Sequence, residues 1–408
     1  MGLFSELYNN NCPDCFQTSI QEFVKSEYLA TTSILNEVIQ DFNNGNRDQV
    51  NSKLFDLYYN NLNKGIRNVF KPESKNNSEL NYYYKLDANA AKFAAYKSHF
   101  VSNKLRELVG DEDYDAKAKN LLKRFNRFQM VEYNTTVSRC RTAKQFAQFK
   151  KIESYANIEW LRTRSASPRE QHLKFAGLIL PKNHDFWKRN QPGNLWQCKC
   201  DWRLTNEVVS ADIPEDVKMK GLGGNPSLSR EIFSSDHPYF SQATNVGEVD
   251  KFISDAILNQ FEKVDGYFYH PLVSTQNENI DDLKLIARLA SGQGKSVYVF
   301  PTAENTSELY YYLYKMRGAQ EGKCPDYLID DVFYDFKSHI GKFEFTKIQS
   351  MISSAVKQSD SMIIDLRLSN DVSFYKIKEN IYKRIKDGQN ISSVYALMPD
   401  NRMQQVFP

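Results

Sequence analysis

The spacing of apolar residues changes once along this 408-residue chain, and that change limits what each half can fold into. Between Thr31 and Phe70, the residues Ile34, Leu35, Val38, Ile39 and Phe42, then Leu54, Tyr58, Leu62, Ile66, Val69 and Phe70 recur every three or four positions. That repeat gathers side chains on one face of a helix, so it predicts two amphipathic helices joined by the Asn-rich turn Asn43 to Asn51. Asn81 to Val109 and the basic run from Ala116 to Arg127 read as further helices, with Tyr82, Tyr83, Phe93, Tyr96 and Phe100 as core bulk. Beyond Asp250 helix and strand alternate. A helix (280–290) leads through Gly292 and Gly294 to a strand (296–300), and a helix (306–317) leads to strands 327–329 and 332–337, joined at Asp330-Asp331 in a tight hairpin. Phe345, Ile348, Ile352, Ala355 and Val356 mark a helix, 361–366 a buried apolar strand, 374–385 a helix and 393–397 a last strand.

The periodicity fails from Arg162 to Leu204, where Pro168, Pro181, Pro192 and Gly193 punctuate a segment rich in tryptophan and cysteine. Residues 206–250, rich in Ser, Gly, Asn and Asp and carrying Gly221-Leu222-Gly223-Gly224-Asn225-Pro226, read as a linker. The expected organisation is therefore a mainly α domain over 1–205 with an irregular Cys/Trp-rich end, the linker, and an α/β domain over 251–408. Composition agrees: aromatic residues make up 13%, while 17 Gly and 13 Pro are few for the length. Lys+Arg 53 nearly balances Asp+Glu 50, which argues against a long disordered chain and a strongly basic nucleic-acid coat. The balance is uneven: residues 1–240 hold 34 basic and 28 acidic residues, and the remainder 19 and 22. No apolar run reaches the roughly 18 residues that span a bilayer, and the start lacks the pattern of a secretory signal, so no membrane partner and a cytoplasmic origin are expected.

Within the first half, Val131-Glu132-Tyr133-Asn134-Thr135-Thr136, Trp160-Leu161-Arg162-Thr163, Arg169 to His172, Gly177, Asp185-Phe186-Trp187, Pro192 and Cys198-Lys199-Cys200 occur in order. This series resembles the signature of the phage Mu F-like minor head proteins, with Trp160, Arg162, His172, Asp185 and Trp187 as matching positions. Two departures stand out: Ser165-Ala166-Ser167-Pro168 replaces an Asp that usually precedes the His, and Lys199 replaces an Arg. The resemblance implies a few-copy protein of the virion, in the capsid interior or neck, bound to portal and capsid proteins. The cysteines suggest a second property. Cys198 and Cys200 with His172 could be metal ligands, thiolate and imidazole being the usual zinc set. Cys12-Pro13-Asp14-Cys15, with knuckle spacing, is the candidate for completing it, and Cys12, Cys15, Cys198 and Cys200 together could form a four-thiolate site, with buried reduced thiols as the ordinary alternative. His172 reads either as a ligand or, by preference, as a core histidine.

In the second half, Pro325-Asp326 is followed by Asp335-Phe336-Lys337. Side chains two apart on a strand share a face, so Asp335 and Lys337 project together and Asp326 meets them from the neighbouring hairpin strand. Two carboxylates can hold Mg or Mn, which lowers the pKa of bound water and offsets phosphate charge, and a lysine can orient that water or stabilise an oxyanion. The order helix, strand, hairpin, helix, strand resembles the restriction-endonuclease-like PD-(D/E)xK fold. The run from Asp281 to Val406 is similar to the nuclease domains of contact-dependent inhibition and related polymorphic toxins, which implies action on RNA, tRNA above all, or on DNA, and an immunity protein as partner. An insertion before Pro325 separates the further acids Glu304 and Glu308 from the pattern. Similar hairpins occur in metal-independent ribonucleases of the barnase, EndoU and RelE-like group, where Lys337, His339 and Thr346 could serve in general acid/base chemistry, His339 as general acid or else a lone surface histidine, and Gln358 could bond a phosphate or cap a helix end. The expected function is a phage or prophage head morphogenesis protein, kept in virion or host cytoplasm, with a C-terminal nuclease effector; the competing expectation is a purely structural head protein with an inactive C-terminal domain.

Overall fold

The computed structural model describes residues 25–165, 168–276 and 279–408. The chain divides into two compact units, one running to Ser74 and from Ser78 to Ile253, the other comprising residues 75–77 and Ser254 to Pro408. The first is largely helical and the second is a mixed sheet with helices, so the expected order of α followed by α/β holds. Among the described residues no helix is long and apolar enough to cross a membrane.

Four long helices build the first unit: α1 (Lys25–Asn43), α2 (Ser52–Arg67), α3 (Asn77–Leu108) and α4 (Tyr114–Phe149). Asn51 caps α2, its side chain accepting from the Leu54 N–H at 3.1 Å, and Lys64 and Arg67 sit at the negative end of the helix dipole. Its buried stripe holds Leu54, Tyr58, Leu62 and Ile66, the positions its spacing picks out, and adds Phe55. After α4 the Cys/Trp segment folds as a small antiparallel sheet, β1 (Asn157–Leu161) between β2 (Ile179–Pro181) and β3 (Asp201–Thr205), with the single turn α5 (Glu170–Leu173) ahead of β2. Trp160, Trp187 and Trp202 bury their rings with Phe146, Phe175 and Phe186, which supplies the hydrophobic core such a short sheet needs.

The linker expected over residues 206–250 is corrected by this fold. Ile232, Phe233 and Tyr239 are fully buried, Phe233 stacks on Phe93 with ring centroids 3.8 Å apart, and Asn89 of α3 accepts from the backbone N–H groups of Ile232 and Phe233 at 2.8 Å each. The Gly221 to Pro226 run wraps the guanidinium of Arg139, a fully buried α4 residue that donates to the carbonyls of Leu222 at 2.9 Å and Gly223 at 3.0 Å. Low side-chain bulk here allows close backbone approach to Arg139, and does not make a tether.

Helix α6 (Val246–Leu258) carries the chain into the second unit. There the elements run β4 (Glu262–Val264), β5 (Tyr267–Tyr269), α7 (Ile280–Gly292), β6 (Val297–Val299), α8 (Glu308–Leu313), β7 (Tyr327–Ile329), β8 (Val332–Lys342), α9 (Phe345–Ala355), β9 (Ser361–Asn370), α10 (Phe374–Lys386), β10 (Ser393–Leu397) and β11 (Met403–Phe407). They form one eight-stranded sheet ordered as in the sequence, parallel at β5–β6, β8–β9 and β9–β10 and antiparallel elsewhere. Helix α7 covers one face through Leu283, Ile286, Ala287 and Ala290; α9 and α10 cover the other through Ile348, Ile352, Ile377 and Ile381. Asp330 and Asp331 both take positive φ, +47° and +64°, which lets the two-residue turn follow the twist of β7 and β8.

Candidate functional site

Two groups of chemistry-bearing side chains stand out, one in each unit. In the α/β unit the hairpin register sets the first. Tyr327 pairs with Tyr334 at the end of the β7–β8 ladder, and Asp326 and Asp335 are the residues next to that pair on either side. The Phe336 N–H donates to Asp326 Oδ2 at 2.8 Å, and Lys337 Nζ lies 2.5 Å from Asp335 Oδ2. Because β7 begins at Tyr327, β8 runs on from Phe336 to Lys342 beyond that pair, paired to β9. The three side chains therefore border the point where the sheet narrows. On the opposite side Asp335 and Lys337 pair in register with Met362 and Ile364 of the apolar strand β9, whose packing makes the backbone of the site rigid.

The electrostatics are those of crowded carboxylates. Asp335 is buried and Asp326 half-buried. Burial, then the charge of Asp335, push the Asp326 carboxyl up to about 7. Burial also raises Asp335, against the pull of Lys337. A single lysine cannot neutralise both acids, so a bound cation is the group that would allow both to ionise together. Asp326 and Asp335 could hold Mg or Mn through oxygen with positions left over for water and a phosphate.

The other expected residues of this unit fall elsewhere. His339 sits where the β8–β9 register slips, between Ser338 and Ile340; its ring is buried with Nδ1 2.7 Å from Ser369 Oγ, and Lys337 is the only member of its ribonuclease set that faces the carboxylates. Thr346 is exposed in the first turn of α9. Gln358 follows α9, its backbone N–H donating to Ala355 at 2.8 Å, four residues before the partner of Asp335 and so on the turn side of the hairpin. Glu304 is exposed ahead of α8, and Glu308 lies in its first turn. One polar group lies outside the sequence pattern. Asp365, buried in β9, accepts from Arg367 Nη2 at 2.7 Å, and Arg367 also bonds Asp282 at the start of α7. An aspartate inside an otherwise apolar strand was the available signal.

The second group lies in the helical unit. His172, at the C-terminal end of α5, points Nδ1 at two sulfurs, 3.2 Å from Cys198 Sγ and 3.2 Å from Cys200 Sγ. Burial opposes ionisation of Cys198, but the Cys200 thiol and His172 outweigh it and hold Cys198 well below the ordinary thiol range; the Cys198 sulfur and burial push Cys200 up. Beside them opens a polar cleft of about 650 Å³ with Tyr133, Arg141, Gln145, Arg164 and Lys199 on its walls. Of the remaining signature positions, Trp160 and Trp187 are core, Trp187 Nε1 donating to the Pro181 carbonyl at 3.0 Å. Arg162 and Asp185 are exposed, Asp185 pairing with Lys188 at 2.7 Å. Cys12 and Cys15 lie outside the described residues.

No protein-family model matches the chain, and no curated protein matches it. Among solved structures, a chain of the CdiA-CT/CdiI toxin and immunity complex from Burkholderia pseudomallei is similar over 32% of this chain and 85% of its own, at 16% identity and a TM-score of 0.24. That likeness concerns fold and is too slight to bear on activity.

Proposed function

We propose that the α/β unit is a phosphodiesterase-type nuclease, an effector acting on RNA, with tRNA the first candidate, or on DNA. The reading rests on one observation: Asp326, which accepts from the Phe336 N–H at 2.8 Å, lies beside the Asp335–Lys337 pair, whose Nζ and Oδ2 are 2.5 Å apart. With α8 inserted between β6 and β7, the order α7, β6, β7–β8 hairpin, α9, β9 also resembles that of the PD-(D/E)xK fold. In this reading Asp326 and Asp335 hold a divalent cation, which supplies Lewis acidity and an activated water. Lys337 holds the water and the developing negative charge in place, and the Phe336 N–H keeps Asp326 turned toward Asp335. An immunity protein that covers this site in the producing cell belongs to the same proposal. For the helical unit we propose the head-associated role implied by its Mu F-like series, bound to portal and capsid proteins in the virion.

The test is induction of the full chain in a bacterium beside Asp335→Asn and Lys337→Ala. The wild type is expected to arrest growth and degrade RNA or DNA, and both variants to lose at least ~100-fold of the cleavage rate while keeping the wild-type circular dichroism. A wild type that neither arrests growth nor cleaves returns the C-terminal unit to a structural role. Cleavage that survives excess EDTA removes the metal from the proposal and leaves Lys337 as the one member of the ribonuclease set at the carboxylates.

A further inference from the structure

The thiol–imidazole group of the helical unit plays no part in the nuclease, and its geometry asks for an explanation of its own. His172 is 4% exposed, and one ring nitrogen faces both sulfurs at the same 3.2 Å. A neutral imidazole nitrogen carries either one proton or one lone pair, so it cannot complete two full hydrogen bonds to two thiols. The potential ligand atoms of His172, Cys198 and Cys200 all lie within 4.8 Å of one another. In a tetrahedral zinc site, bonds of about 2.3 Å to sulfur and 2.0–2.1 Å to nitrogen put N and S roughly 3.6 Å apart. The observed separations are a few tenths of an ångström shorter, a gap that small side-chain rotations open.

A small cavity of about 20 Å³ opens among the same three side chains, with Thr163, Ser165, Arg169 and Gln197 completing its wall. One water needs roughly 10–15 Å³ by that measure, so the space suits an ion or an ion with one solvent ligand. Besides the three ligands, the wall offers hydroxyl, amide and cationic groups and no further His, Cys or carboxylate among the described residues.

We propose that His172, Cys198 and Cys200 bind one zinc ion, with a solvent molecule in the fourth position. Two thiolates and a neutral imidazole leave the centre without net charge, so Arg169, which donates to the Trp196 carbonyl, and the exposed Lys199 do not repel it. The ion joins α5 to the loop entering β3, His172 and Cys198 being 26 positions apart with β2 between them. Of the sets the sequence offers, the geometry favours His172 with Cys198 and Cys200, and solvent takes the place of a ligand from the Cys12 and Cys15 pair.

Full-length protein purified from zinc-supplemented cells is expected to carry about one zinc per chain by elemental mass spectrometry. Replacing zinc by cobalt(II) counts the sulfurs, because the thiolate charge-transfer absorbance grows with each one. Cys200→Ser is expected to lower that absorbance by about half, His172→Cys to keep the metal and raise it, and Cys12→Ser/Cys15→Ser to leave it unchanged. Failure of the wild type to bind zinc or cobalt overturns the proposal. So does an absorbance unaffected by Cys200→Ser, or one lost in the Cys12→Ser/Cys15→Ser variant. The wild-type stoichiometry and the His172→Cys result decide the matter even if Cys200→Ser does not fold.

Discussion

Asp326 gives the α/β unit a pH dependence that is written in one residue's surroundings. Its carboxyl rises from 3.8 to about 7 on folding, so between those values the folded chain binds more protons than the unfolded chain. Stability contributed by this group is therefore greatest at low pH and falls as pH rises through that window, with a full loss on the order of 4 kcal/mol, three units at about 1.36 kcal/mol each. Urea unfolding in chelator at pH 5 and pH 8 is expected to show the wild type losing more stability than Asp326→Asn, and millimolar Mg to narrow the gap. Parallel losses in the two proteins would remove the raised Asp326 carboxyl from the account. Residue chemistry was legible here, since the spacing of Asp326, Asp335 and Lys337 pointed to one face. The burial that sets the Asp326 carboxyl near neutrality was not, because it depends on what packs around the hairpin.

At the scale of elements, α3 and α4 are joined by an ion pair that their sequences do not advertise. Lys97 Nζ lies 2.6 Å from Glu132 Oε2 with both side chains buried, and 4.1 Å from the centre of the Tyr58 ring. Burial lowers the lysine's pKa against the attraction of Glu132. Lys97→Met removes the charge partner of a buried carboxylate and is expected to destabilise by about 3–5 kcal/mol, whereas Lys97→Met/Glu132→Leu recovers most of it. Chemical denaturation of the two variants checks this, and equal losses would mean the pair carries net stability. The same scale explains which elements could be read. The β7–β8 hairpin was legible because two aspartates tolerate its positive φ. The β4–β5 hairpin carries the stronger signal Asp265-Gly266, yet both its strands have three residues, with no long partner such as the eleven-residue β8 to show alternation. Strand β11 escaped for a different reason: Gln404 and Gln405 interrupt its apolar pattern at the sheet edge.

Across the whole molecule, the segment 206–250 is where composition misleads. A Gly- and Ser-rich run of this kind is read as a tether because it brings little apolar mass of its own. Here Phe233 fills a slot between Phe93 and Trp196, with centroids 3.8 Å and 5.9 Å away. Phe233→Ala is expected to cost about 3–5 kcal/mol of the helical unit's stability, a loss that a free linker would not show. Thermal unfolding of the full chain, read at the helical signal, checks it; an unchanged midpoint would restore the tether.

Local spacing of apolar residues specifies the helices, most strands of the larger sheet and the division into α and α/β parts. The sequence by itself also sets the spacing that aligns Asp335 with Lys337, since alternation along a strand is a local property of the backbone. Tertiary structure decided the rest, for reasons of distance along the chain. Cys198 and Cys200 meet His172 across 26 and 28 residues, Arg139 finds its carbonyls 83 to 85 residues later, and Asn89 finds the backbone of Phe233 after 144. No local pattern encodes such meetings, because they follow only once the apolar faces have packed.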